Sequence, residues 1–213
     1  MSHGTKKQRI WDLPTRTFHW GLVVNFFIAF WTREDDHLAL FHIASGYTIL
    51  GLLLFRILWG FVGTYYARFR DFVKGPKAIL SYLKSLFGTK PDSHLGHNPA
   101  GGVSVLALIV LGLLTSLSGW LEYEDFELPY LEEVHEWAGE TMLVLVLIHI
   151  AAVFLSAVLH RENLILAMLT GYKKTKKKAH EVPCHLNWAF GIGLGMMTIW
   201  LWVFRLKWLS VFH

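Results

Sequence analysis

The sequence predicts an all-α membrane protein: a four-helix transmembrane bundle followed by a fifth, C-terminal transmembrane helix. Three observations predict it. Hydrophobic residues make up 54% of the 213 positions and charged ones only 17%, against roughly 45–50% and roughly 25% in soluble domains. Five long stretches are almost free of charge. The charged loops between them alternate in sign. The 10 Trp, 15 Phe and 7 Tyr exclude a disordered chain. A lone cysteine, Cys184, excludes a disulfide scaffold. The net charge of +4 would suit nucleic acid only if the basic residues formed one face. They are topological instead, and no nucleic-acid partner is expected.

Each element follows from the requirement for about 20 mostly apolar residues to cross a bilayer core. The first span is predicted at about 17–33, since Thr17 to Thr32 holds no Asp, Glu, Lys or Arg. It follows basic residues, as a signal peptide would. It has no small-residue cleavage site and carries Trp20, Asn25 and Trp31, so it reads as a retained span. The second, about 38–64, contains one charge, Arg56. The segment from Lys74 to Phe87 is amphipathic. Pro76 suits a first helical turn, and Ile79, Leu80, Leu83, Leu86 and Phe87 form one face with Lys77 and Lys84 on the other. It is predicted to lie on the cytoplasmic surface. The third span, about 97–121, and the fourth, about 134–159, are apolar apart from Glu136 and Glu140 near the start of the fourth. A fifth apolar segment, Val182 to Phe204, lies in a separate C-terminal unit, 181–213, after a bundle domain of 1–180.

Lys6, Lys7, Arg9 and Arg16 precede the first span, six basic residues from Arg68 to Lys90 follow the second, and Arg161 with Lys173, Lys174, Lys176, Lys177 and Lys178 follow the fourth. The other two loops are acidic: Glu34, Asp35 and Asp36, then Glu122, Glu124, Asp125, Glu127, Glu132 and Glu133. The positive-inside rule places the N-terminus in the cytoplasm of a bacterial inner-membrane protein and the acidic loops outside. The lysine run serves topology alone or also binds anionic lipid head groups.

Histidines inside spans are costly and usually functional. His135 and His149 lie 14 positions apart on one predicted helix, which is ~21 Å of rise with a return to nearly the same face. Counted from the outer surface, His42 matches the depth of His135, and His19 matches that of His149. Two stacked bis-histidine pairs suit two b-type haems with axial imidazoles on iron. No C-x-x-C-H motif offers covalent attachment, and zinc would want further ligands that the inner layer lacks. Gly46 and Gly139 each follow a histidine by four, on the same face, and leave room for a flat macrocycle. Small residues there also serve plain helix packing. Arg56 follows His42 by 14, and Arg16 precedes His19 by three. Either arginine pairs with carboxylates of the inner haem or snorkels to head groups. His160 is expected at the membrane surface, and His97, in Gly96-His97-Asn98-Pro99, reads as a helix start. His3, His37, His94, His180, His185 and His213 have no constellation around them, and no nucleophile triad, P-loop or dinucleotide fingerprint is present.

From Trp11 to Lys174 the chain resembles bacterial cytochrome b561 and the related cytochrome b subunits of nickel-iron hydrogenases and formate dehydrogenases. The resemblance rests on an ordered set. It begins with Arg16 before His19-Trp20, His42 with Gly46, and Arg56-Ile57-Leu58-Trp59-Gly60. It continues with Gly96-His97-Asn98-Pro99, His135 with Gly139, His149, and Ala167-Met168-Leu169-Thr170-Gly171. It implies a four-helix bundle with two non-covalent haems b on His19, His42, His135 and His149. It also implies electron transfer between the quinone pool and a redox partner, here a periplasmic c-type cytochrome or oxidoreductase subunit. The fifth apolar segment departs from the family pattern. The acidic outer loops suit a basic soluble carrier. The alternatives are a stand-alone oxidoreductase, such as a superoxide:quinone oxidoreductase or a ferric reductase, and a small metal transporter.

Overall fold

The computed structural model describes residues 6–86, 94–175, 180, 182, 188, 190–199 and 202. Four long helices cross the molecule: α1 (Leu13–Thr32), α2 (Ala39–Val62), α5 (Pro99–Tyr123) and α6 (Leu131–His160). Short helices α3 (Phe69–Phe72), α4 (Pro76–Leu86) and α7 (Leu164–Thr170) lie between and after them. The segments 36–62, 99–123 and 131–160 are long and apolar enough to cross a membrane by length and composition. Helix α1 carries Arg16, His19 and Asn25, yet its 20 residues still reach ~30 Å, the thickness of a bilayer core. Leu147, Phe154 and Val158 of α6 stay exposed, as a lipid-facing surface requires.

Helix α1 starts at Leu13, four residues before the charge-free stretch. Asp12 is its N-cap, accepting from Thr15 N at 2.7 Å, and Pro14 sits in the first turn, where its missing N–H costs nothing. A cap and a proline start a helix regardless of the charge on Arg16, so the helix begins ahead of the apolar span. Asp12 also accepts from Trp59 Nε1 at 3.1 Å and from Thr64 Oγ1. One buried carboxylate therefore joins the start of α1 to the end of α2.

Helices α1 and α2 form one antiparallel pair, α5 and α6 another, and α2 packs on α5. Phe18, Ile49, Leu52, Leu53 and Ile109 form the core between them. Leu194 completes it from α8 (Phe190–Ile199), the described part of the fifth apolar segment. Gly191 of α8 lies against Leu13 and Gly195 against Thr17, so α8 runs parallel to α1. Small residues four apart allow this close approach.

An antiparallel ribbon closes one end of the bundle, called the N-side below. Strand β1 (Lys6–Arg9) pairs with β2 (Tyr172–Thr175), Lys6 opposite Thr175 and Arg9 opposite Tyr172. Lys7 and Arg9 stack on the Tyr172 ring at 5.0 and 5.2 Å. Ile10 N and Trp11 N donate to Gly171 O. Gly171 has φ +86°, and a Cβ there would sit 2.7 Å from Trp11 O, so only glycine fits the turn. Lys173 is buried, paired with Glu162 at 2.6 Å and donating to His94 O at 3.0 Å. It therefore stands apart from its neighbour Lys174, which is exposed. Residues Lys176, Lys177, Lys178 and Cys184 lie outside the described residues. Helix α4 meets the N-side through buried Tyr82, while Leu80 and Leu83 remain exposed. The side that packs is thus not the apolar face of the sequence pattern.

Candidate functional site

At the far side, opposite the ribbon, His42 of α2 faces His135 of α6, with ring centroids 6.0 Å apart. Each imidazole is held by a neighbouring helix. His42 Nδ1 donates to Ala29 O of α1 at 2.9 Å, and His135 Nδ1 donates to Thr115 O of α5 at 2.9 Å. A carbonyl only accepts, so the proton sits on Nδ1 and the Nε2 lone pair is free for a metal. Two metal–nitrogen bonds of ~2 Å each, added to the half-width of each ring, come to ~6 Å. The observed spacing therefore leaves room for one metal between the two rings.

A cavity of about 800 Å³ opens beside them, within the roughly 300–1,000 Å³ of cofactor pockets. Gly46 and Gly139 both line it. A Cβ at Gly46 would meet nothing within 4 Å, and one at Gly139 only the Thr115 methyl at 3.9 Å. Both glycines thus open onto the space where a flat ring would lie. Arg33 stands at the mouth, bonded to Glu140 at 2.6 Å and Glu34 at 3.1 Å.

Gly119 is a site residue that sequence reasoning missed. A Cβ there would lie 2.6 Å from His135 Cε1 and 2.7 Å from Nδ1. The missing side chain is the seat of the imidazole on α5. In the sequence Gly119 is one small residue in an apolar run; only its place in the Thr115 to Gly119 turn, facing α6, gives it meaning.

The N-side layer holds His19 of α1 and His149 of α6, close enough to interact electrostatically. His19 Nδ1 is enclosed with no hydrogen-bond partner, so no carbonyl restrains it as one does at the far side. Arg56 is 2% exposed and turned into the protein rather than toward lipid. Its Nη2 donates to Ala67 O at 3.0 Å, its guanidinium lies 4.9 Å from Phe69 and 5.7 Å from Phe72, and its Nη1 has no partner. A Cβ at Gly60 would collide with the Phe69 ring, which explains the glycine four residues on. Arg16 Nη1 donates to Leu169 O at 2.5 Å, and its Nε has no partner.

His97 stands just outside α5, its ring 4.8 Å from Trp11 and 4.6 Å from Phe72. Burial, then the charges of Arg56, His149, His19 and Lys173, push it down to about 3, so it is neutral at physiological pH. The remaining histidines have structural surroundings. His160 Nδ1 donates to Ser156 O in its own helix at 2.9 Å, His94 packs on Tyr82, and His180 stacks on Tyr65. His37 belongs to the turn 36–38; His3, His185 and His213 lie outside the described residues.

The far-side slot, with two free imidazole lone pairs, fits a planar iron porphyrin. The N-side layer, with buried N–H groups lacking acceptors, fits its carboxylates, because buried donors are almost always paired. Among the described residues no group of three or more His, Cys, Asp or Glu could hold a bare metal ion.

Residues 10–171 match the family described as Prokaryotic cytochrome b561. A "Probable Ni/Fe-hydrogenase B-type cytochrome subunit" of Azotobacter vinelandii is 24% identical over 164 residues, covering 63% of this chain and 68% of that protein. Its namesake in Azotobacter chroococcum mcd 1 is 26% identical over the same shares. One in Rhodobacter capsulatus is 21% identical over 213 residues, covering 78% and 81%. No solved structure matches. With helices, histidine pairs and the family match all pointing one way, the chain belongs to the prokaryotic cytochrome b561 family, transmembrane helical proteins that carry haem b and transfer electrons.

Proposed function

We propose that this cytochrome carries electrons between the quinone pool and a periplasmic redox protein, a c-type cytochrome or an oxidoreductase subunit, through two non-covalent haems b. The observation that carries the reading is the His42–His135 pair, spaced at 6.0 Å with both Nδ1 atoms tied to carbonyls. His42 and His135 are the axial ligands of the far-side haem, with Gly46 and Gly139 giving it room. His19 and His149 hold the N-side haem, with Arg56 and Arg16 toward its carboxylates. Iron supplies the one-electron chemistry; the chain supplies ligation, exclusion of water and spacing. Residues 1–180 form the haem-holding unit, and 181–213 add a helix against α1 and α2. The N-side faces the cytoplasm of a bacterial inner membrane, with α4 in the lipid head-group layer.

The acidic rim of the far-side cavity supports a cationic partner. Glu34, Glu122, Asp125, Glu132, Glu136 and Glu140 line it, with Arg33 engaged by two of them. A negative mouth concentrates basic protein surfaces and repels an anion such as superoxide. The hydrogenase names of the relatives support an oxidoreductase subunit as that partner. The test is quinol reduction of the purified protein, with haem counted by pyridine haemochrome. About two extractable haems per chain, reduced by quinol and reoxidised by a basic cytochrome, is the expected result. A haem count near zero, or haem that quinol leaves oxidised, refutes it.

A further inference from the structure

We infer that the N-side layer contains a preformed carboxylate-binding site in which His97 is the third donor beside Arg56 and Arg16, and that a carboxylate of the N-side haem occupies it. This rests on the two-haem reading above. The donors assigned to it are three nitrogens: Arg56 Nη1, Arg16 Nε and His97 Nδ1. All three are enclosed, and none has a hydrogen-bond partner.

The donors are fixed in advance. Arg56 is anchored through Nη2 to Ala67 O, and Arg16 through Nη1 to Leu169 O. Each guanidinium is planar, so anchoring one nitrogen sets the direction of the others. The His97 ring is held between Trp11 and Phe72, and Phe72 also lies under Arg56, 5.7 Å from its guanidinium carbon. One aromatic ring therefore links two of the three donors.

Among the described residues no acceptor meets them. Asp12 is the acidic residue whose charge reaches both Arg16 and Arg56, but its oxygens are taken. Oδ1 accepts from Thr15 N, and Oδ2 accepts from Trp59 Nε1 and Thr64 Oγ1. Glu162 is engaged by Lys173. Arg16 and Arg56 share Asp12, and Arg9 adds a further positive charge near Arg16, so the layer carries excess positive charge beside three unpartnered nitrogens. An anion with planar acceptor geometry satisfies both. His19, His149 and Arg56 all lie within electrostatic reach of His97, so His97 and Arg56 belong to the same layer as the two histidines.

The test uses the full-length protein with both haems, comparing His97→Phe and His97→Gln with wild type. Phenylalanine keeps a ring between Trp11 and Phe72 and removes the N–H; glutamine keeps an N–H. The readouts are resonance Raman bands of the haem carboxylates, the two resolved midpoint potentials, and the rate of haem transfer to apomyoglobin. In His97→Phe the carboxylate bands of one haem should shift, the N-side potential should fall, and N-side haem should leave several-fold faster. His97→Gln should recover most of each change. Wild-type bands, potential and release in His97→Phe would overturn the assignment. So would a high-spin N-side haem, which would make His97 an iron ligand, or equal loss of that haem from both variants, which would show that restoring an N–H does not restore the site. A wild-type protein that binds one haem or none would fail the two-haem reading first, before any variant is compared.

Discussion

Gly119→Ala gives the sharpest test of the far-side site, because one methyl group bears on His135, the ligand proposed above. The new Cβ would stand 2.6 Å from His135 Cε1 and 2.7 Å from Nδ1. Unstrained carbon contacts begin at ~3.5 Å, so the imidazole must retreat by ~0.9 Å. Ligand distances at a metal tolerate ~0.2 Å. The ring borders the cavity, and moving into it breaks the 2.9 Å bond from Nδ1 to Thr115 O. Loss of such a supporting bond alone costs ~10–100-fold in metal affinity, or ~1.4–2.8 kcal/mol. The variant should keep its helical content and the N-side haem. Its far-side haem should be lost or become high-spin, seen in pyridine haemochrome counts and in the low-temperature spectrum. Two low-spin haems with unchanged midpoint potentials would refute the claim that Gly119 seats the ligand.

Four further outcomes are expected. Gly46→Leu should exclude the far-side haem without destabilising the apoprotein, since a Cβ there meets nothing within 4 Å; haem counts and thermal melts check both halves. Arg56→Gln should lower the N-side midpoint potential and leave the far-side one nearly unchanged in a redox titration. A charge ~10 Å from iron at an effective dielectric of ~20 contributes ~1.7 kcal/mol, or ~70 mV for one electron. His149→Ala should lose the N-side haem while His160→Ala keeps both, because His160 Nδ1 is engaged by Ser156 O in its own helix. Asp12→Ala should lower stability by ~2–4 kcal/mol in a melt, since it strands the donors of Thr15, Trp59 and Thr64.

The sequence by itself determined the membrane class, the four long helices and the depth pairing of the histidines. Those properties are one-dimensional: apolar length, charge alternation, and a rise and rotation per residue that hold along any straight helix. His42 and His135, 93 positions apart, could be matched by depth alone because a bilayer gives every helix a common axis. Helix ends were less legible, as at Leu13, because a cap and a proline act locally and leave average hydropathy unchanged. The tertiary structure alone decided which neighbour each polar atom meets. It put Arg56 under Phe69 and Phe72 rather than among head groups, and buried Lys173 against Glu162. It paired two short basic segments into the ribbon that closes the N-side, which in sequence look only like topological charge. It also set Gly119 against His135, and His97 between Trp11 and Phe72. Contacts between helices depend on rotation about each axis and on the angle at which the helices cross, and both are set by the packing of all the side chains together.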